Sequence, residues 1–110
     1  MEGVATLDDG RPVRAVAEAL RRACPKIERI LLFGSRARGD AQARSDIDLA
    51  VSCPRVSQRE WLDLCDVLEE LPTLLRVDLV RLDTAGAALR NRILREGRTL
   101  YESGSDRTRA

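Results

Sequence analysis

The sequence predicts an α/β fold, a small β-sheet with flanking helices. Three observations predict it. Apolar residues recur at helical spacing in three segments and form short continuous or alternating runs in the segments between them. Residues that start or stop helices stand at the joints: Pro25, Pro54, Ser57 and Gly97. The 110 residues, 44% of them hydrophobic, suffice for one ordinary core, so one domain spanning 1–110 is expected, with its core over about 12–102.

Each element follows in order. Residues 1–10 carry Asp8-Asp9-Gly10 and read as a loose lead-in, with Pro12 at a first helical position. Val13, Val16, Ala17, Leu20 and Cys24 then keep helical spacing until Pro25 stops them. Ile27 to Phe33 reads as a strand buried towards its end. A short helical piece or turn is expected from Gly34-Ser35 to about Ala41, and Asp46 to Cys53 reads as a second strand closed by Pro54. Ser57 and Glu60 form a capping box, flanked by Val56 and Trp61 at the positions of a hydrophobic staple. Trp61, Leu64, Cys65, Leu68 and Leu71 supply that helix's core stripe. Leu74 to Leu82 reads as a third strand. Asp83 or Thr84 can cap a last helix carrying Ala85, Leu89 and Ile93 and stopped by Gly97. Arg98 to Glu102 reads as a short edge strand, and the polar tail, 103–110, as disordered. The 12 residues between Phe33 and Asp46 allow the first two strands to be parallel or antiparallel.

Composition excludes several function classes. Net charge is +1, with acids and bases interspersed, so bulk charge does not drive nucleic-acid binding and no direct nucleic-acid partner is expected. Arginine outnumbers lysine 18 to 1, and Arg81, Arg90, Arg92, Arg95 and Arg98 read as a solvated, charge-paired surface rather than an RNA patch. With no histidine, Ser-His-Asp and Cys-His nucleophilic machinery cannot be built within this chain. Cys24, Cys53 and Cys65 match no zinc spacing and read as reduced, mostly buried residues of a cytoplasmic protein. No run approaches a membrane span, and the N-terminus has no signal-peptide pattern.

The chemistry concentrates in "LLFGSRARGDAQARSDIDLAV", Leu31 to Val51. Alternation along a strand puts Asp46 and Asp48 on one face, about 7 Å apart, while Ile47 and Leu49 point to the other. Two carboxylates side by side repel, and burying them unpaired is costly. A divalent cation resolves both problems, and oxygen-only ligands favour Mg²⁺ or Mn²⁺ over zinc. Asp78 repeats the oddity inside "RVDLV", and it joins the pair if its strand lies beside the second. Three such acids could hold metal for in-line phosphoryl displacement. Gly34 at a strand's end lets backbone N–H groups face an anion, and Ser35 adds a hydroxyl. Arg36 and Arg38 can reach phosphates, though two residues apart on a helix they diverge, so at most one points inward. Asp40 reads as a surface or turn residue. The set suggests a nucleoside triphosphate site.

Gly34-Ser35, ten intervening residues and Asp46-Ile47-Asp48 form the GS-x10-D-x-D signature of the DNA polymerase β-like nucleotidyltransferase superfamily. Over residues 12–102 the chain resembles that superfamily's minimal members, the MNT antitoxins found beside HEPN-domain toxins. "FGSRARGD", "SDIDLAV" and "ILREGRTLYE" carry the likeness. The resemblance implies the family's mixed-sheet α/β core, with the site at one end of the sheet. It implies that Gly34 and Ser35 bind the triphosphate; Arg36 beside them is a candidate phosphate ligand by its position alone. Asp46 and Asp48 would ligate Mg²⁺, and Asp78 would serve as third carboxylate, sharing metal or activating the attacking hydroxyl. The implied activity is transfer of a nucleoside monophosphate, AMP from ATP, to a hydroxyl, such as a tyrosine of a cognate HEPN toxin. Two other readings stand beside it. One is an antitoxin that neutralises its partner by binding alone. The other is a small-molecule transferase like the aminoglycoside nucleotidyltransferases, which carry an acceptor domain that 110 residues leave no room for.

Overall fold

The computed structural model describes residues 4–34, 37, 46–71 and 76–103, with side chains from residue 12 onward. The elements are α1 (Val4–Ala23), β1 (Arg29–Phe33), β2 (Ile47–Ser52), α2 (Gln58–Glu69), β3 (Val77–Arg81), a 3₁₀ turn (Leu82–Thr84), α3 (Ala87–Glu96) and β4 (Arg98–Glu102). The four strands form one sheet in the order β3-β2-β1-β4. β1 runs antiparallel to both β2 and β4, and β2 runs parallel to β3, so the sheet is mixed.

Strand alternation divides the core in two. On one face Ile30, Leu32, Ile47, Leu49 and Val51 pack with Val16 and Leu20 of α1, Leu64 of α2 and Ile27 from the connection before β1. On the other, Leu31 and Ala50 meet Leu82 and Ile93, with Phe33 and Val80 at the margin. This second layer is thin, because Ile93 is the one buried residue of α3. The expected capping box is formed: the Ser57 hydroxyl accepts the Glu60 N–H at 3.1 Å, and the Glu60 carboxylate accepts the Ser57 N–H at 2.8 Å. Val56 is buried and Trp61 partly buried in the same cluster, consistent with the staple.

Three expectations are corrected. The lead-in is helical from Val4, and Pro12 lies inside α1. A proline removes one backbone donor, which here interrupts the hydrogen-bond ladder without ending the helix. The last helix is not capped by Asp83 or Thr84. Its N-cap is Gly86, Ala85 precedes it, and Leu89 is 37% exposed. The Asp83 carboxylate instead accepts the Cys53 N–H at 2.7 Å and faces the Ser52 hydroxyl at 3.4 Å, so a tertiary bond has taken the would-be cap. The third strand is Val77–Arg81, with Arg76 before it and Leu82 already in the 3₁₀ turn, while Leu74 and Leu75 lie outside the described residues. The tail from 104 onward lies outside the described residues.

Cys24 and Cys53 are buried and Cys65 half-buried, all as free thiols. Burial pushes the Cys53 thiol up to about 11, which keeps it protonated and inert. Among the described residues no helix is long and apolar enough to cross a membrane.

Candidate active site

β2 and β3 place the acids. Their parallel register sets Asp48 directly beside Asp78, within a pairing that runs from Ile47 beside Val77 to Val51 beside Arg81. The neighbours of both acids in sequence, Ile47, Leu49, Val77 and Leu79, pack with the α1–α2 layer. Alternation therefore sends Asp48 and Asp78 to the α3 side, in line with Ala50 and Val80. Asp46, just before β2, is exposed at the same end of the sheet.

β1 brings the glycine. Phe33, its last residue, pairs with Asp48. Gly34 follows with φ 79°, a left-handed conformation that side chains rarely adopt. A Cβ at Gly34 would collide with Asp48 Oδ2 and stand 3.2 Å from Asp48 Cγ. Glycine is thus required twice, by the turn and by the carboxylate lying against it. The Gly34 carbonyl accepts the Ala37 N–H at 3.1 Å. Ser35 and Arg36, expected to bind phosphate, lie outside the described residues, as do Arg38 and Asp40.

The acids interact. Burial pushes the Asp48 carboxyl above its ordinary range. The negative charges of Asp78 and Asp46 and a hydrogen bond shared with Asp78 add to the shift, and the Arg76 guanidinium opposes it. Arg76 Nε lies 3.2 Å from Asp78 Oδ1. Sequence reasoning passed over Arg76. The available signal was its position two residues before Asp78, which puts both on one face at the strand's entry.

No three carboxylate, thiol or histidine side chains among the described residues converge to cage an ion by themselves. The donor set still fits a hard divalent cation. Its donors are carboxylate oxygens only, and Asp48 is crowded by like charges that a cation would neutralise. Mg²⁺ is commonly held by one or two carboxylates, with water and substrate phosphates completing the sphere, rather than by an all-protein cage.

Comparison with known proteins gives the family. The family model described as "Polymerase beta, Nucleotidyltransferase" matches residues 15–106. No curated protein matches the sequence. Among solved structures, the chain is similar to one from a variant toxin–antitoxin complex containing MntA, at 30% identity and TM-score 0.66, covering 84% of this chain and 73% of that one. A toxin–antitoxin structure with AMP-PNP is 29% identical, with TM-score 0.60 and coverage of 83% and 73%. A structure of a tri-AMPylated Shewanella oneidensis HEPN toxin in complex with MNT antitoxin is 25% identical, with TM-score 0.61 and coverage of 94% and 77%. A family match over most of the chain, a mixed sheet that aligns Asp48 with Asp78, and a glycine turn pressed on the first of these acids lead to one assignment: the chain belongs to the polymerase β nucleotidyltransferase family.

Proposed function

We propose that the protein is the antitoxin of a toxin–antitoxin pair and a Mg²⁺-dependent nucleotidyltransferase that moves AMP from ATP to a tyrosine hydroxyl of a HEPN-domain toxin. The observation that carries the reading is the register of Asp48 with Asp78 on parallel strands, with the Gly34 turn against Asp48. The relatives supply the partner class: one is a tri-AMPylated HEPN toxin complex with MNT antitoxin, and another contains AMP-PNP.

The residues divide the work as follows. The missing side chain at Gly34 lets the Asp48 carboxylate lie against the end of β1, so a triphosphate bound at this turn would meet the acids, and Ser35 and Arg36 would add donors. Asp48 and Asp78, with Asp46 at the same end of the sheet, would hold Mg²⁺ together with the substrate phosphates, and the ion would supply charge neutralisation. The acceptor oxygen forms a bond to the α-phosphorus. The bond from that phosphorus to the oxygen bridging the β-phosphate breaks, and pyrophosphate leaves. The hydroxyl proton passes to Asp78. Positioning and charge carry most of such a reaction. The acceptor would approach from the α3 side of the sheet, the side that carries Asp48 and Asp78.

The test is intact-mass spectrometry of the cognate HEPN protein after incubation with this protein, ATP and Mg²⁺. The expected result is a gain of AMP units with loss of toxin activity. Neutralisation without any mass gain would replace transfer by inhibition through binding alone.

A further inference from the structure

Among the described residues, Arg76 is the cation nearest the acids that the functional reading has not used. It immediately precedes β3, and its carbonyl accepts the Ile47 N–H at 2.9 Å, which fixes its backbone against the start of β2. Its side chain is 73% exposed and long enough to move, whereas its partner Asp78 is 43% exposed and tied to a strand. Nε lies 3.2 Å from Asp78 Oδ1, on an oxygen that a divalent cation would otherwise take. Its charge also reaches Asp48. No other interaction of Arg76 is present among the described residues. A guanidinium holds five donors in a planar fork and binds phosphate in pairs of hydrogen bonds, so one monodentate contact to a carboxylate uses little of its capacity.

We propose that Arg76 is an exchangeable counter-ion of this site: it pairs with Asp78 while the site is empty and transfers to the β- and γ-phosphates when the metal–nucleotide complex arrives. The inference rests on the nucleotidyltransferase reading above. It makes Arg76 a positioning residue with two opposed effects. Without nucleotide it competes with metal for Asp78. With nucleotide it adds donors to the diphosphate that will leave. An arginine that merely decorates the surface has the first effect at most.

The experiment is calorimetry on wild type, Arg76→Gln and Arg76→Lys, titrated with Mn²⁺ alone and with ATP in saturating Mg²⁺. For Arg76→Gln, the affinity for Mn²⁺ alone should rise about 2- to 5-fold, the scale of an exposed ion pair. Its affinity for Mg²⁺-ATP should fall about 10-fold or more, the scale of lost charge-assisted bonds. Arg76→Lys keeps the charge without the fork and should fall between wild type and Gln for ATP. Because Arg76 is exposed, both variants should melt within a degree or two of wild type. Unchanged ATP affinity in Arg76→Gln, or weaker Mn²⁺ binding, overturns the proposal while the wild-type titrations leave the functional reading intact. Wild type binding neither Mn²⁺ nor Mg²⁺-ATP overturns both.

Discussion

Asp48 stands where strand chemistry and site chemistry oppose each other. A strand interior favours an apolar or β-branched residue, yet this position holds a carboxylate pressed on Gly34 and facing two other acids. The resulting rise in its pKa makes a stability statement. Between the ordinary value of 3.8 and the raised folded value, the folded state binds more protons than the unfolded one. Stability of the metal-free protein therefore falls as pH rises through that window, and the penalty persists at neutral pH. Asp48→Asn removes both the penalty and the slope. The variant should melt at or slightly above wild type in EDTA at pH 7, with a flatter dependence as pH rises above 3.8, while AMP transfer is lost. A melting temperature far below wild type would mean that Asp48 is structural, and retained transfer would exclude it from the chemistry. At this scale the sequence was informative because D-x-D inside an apolar run admits few explanations. Arg76 was harder to see, since an arginine before a strand is ordinary until the sheet shows which acid it meets.

Local chemistry was legible in the elements wherever neighbours in sequence satisfy one another. The capping box at Ser57 and Glu60 is such a case, because both bonds close within four residues. The cap of α3 was not legible, because Asp83 spends its carboxylate on the Cys53 N–H, 30 residues away. Leu89 misled for a related reason: the helical pattern was right, but α3 turns so that Ile93 alone is buried, and Leu89 and Leu94 stay 37% and 46% exposed. A helix held by one side chain should be unusually sensitive to it. Ile93→Ala should cost about 2–5 kcal/mol, transfer plus cavity. Amide exchange should rise across Ala87–Glu96 and β4 well before it rises in α2. Leu64→Ala, at a comparably buried position on the other layer, should leave α3 protection near its wild-type level relative to global stability. Equal loosening of every element by Ile93→Ala would show that the thin layer and the thick one unfold as one unit.

At the scale of the molecule, the two sheet faces have different tasks. The α1–α2 face holds most of the core, and the α3 face carries the acids and less apolar cover. Alternation and the order of elements predicted an α/β sandwich, but strand direction was open, because a connection of a dozen residues serves either sense. The antiparallel β1–β2 pair settles it and brings Gly34 to Asp48. The parallel β2–β3 pair then brings Asp78 to the same place from 30 residues away, a register no local pattern encodes. Concentrating like charges on the thinner face leaves stability to be gained when they are neutralised. Mg²⁺ alone supplies charge but few ligands, and ATP alone adds negative charge to a negative site, so the two should act together. A ligand at about 100 times its Kd contributes roughly 2.7 kcal/mol to the folded state. For a domain near this size that corresponds to a melting rise on the order of 10 °C. Thermal melts with ATP and Mg²⁺ should show it, whereas ATP with EDTA should shift the midpoint by no more than a degree or two. An equal rise in both conditions would remove metal from nucleotide binding and leave the repulsion among Asp46, Asp48 and Asp78 without a functional cause.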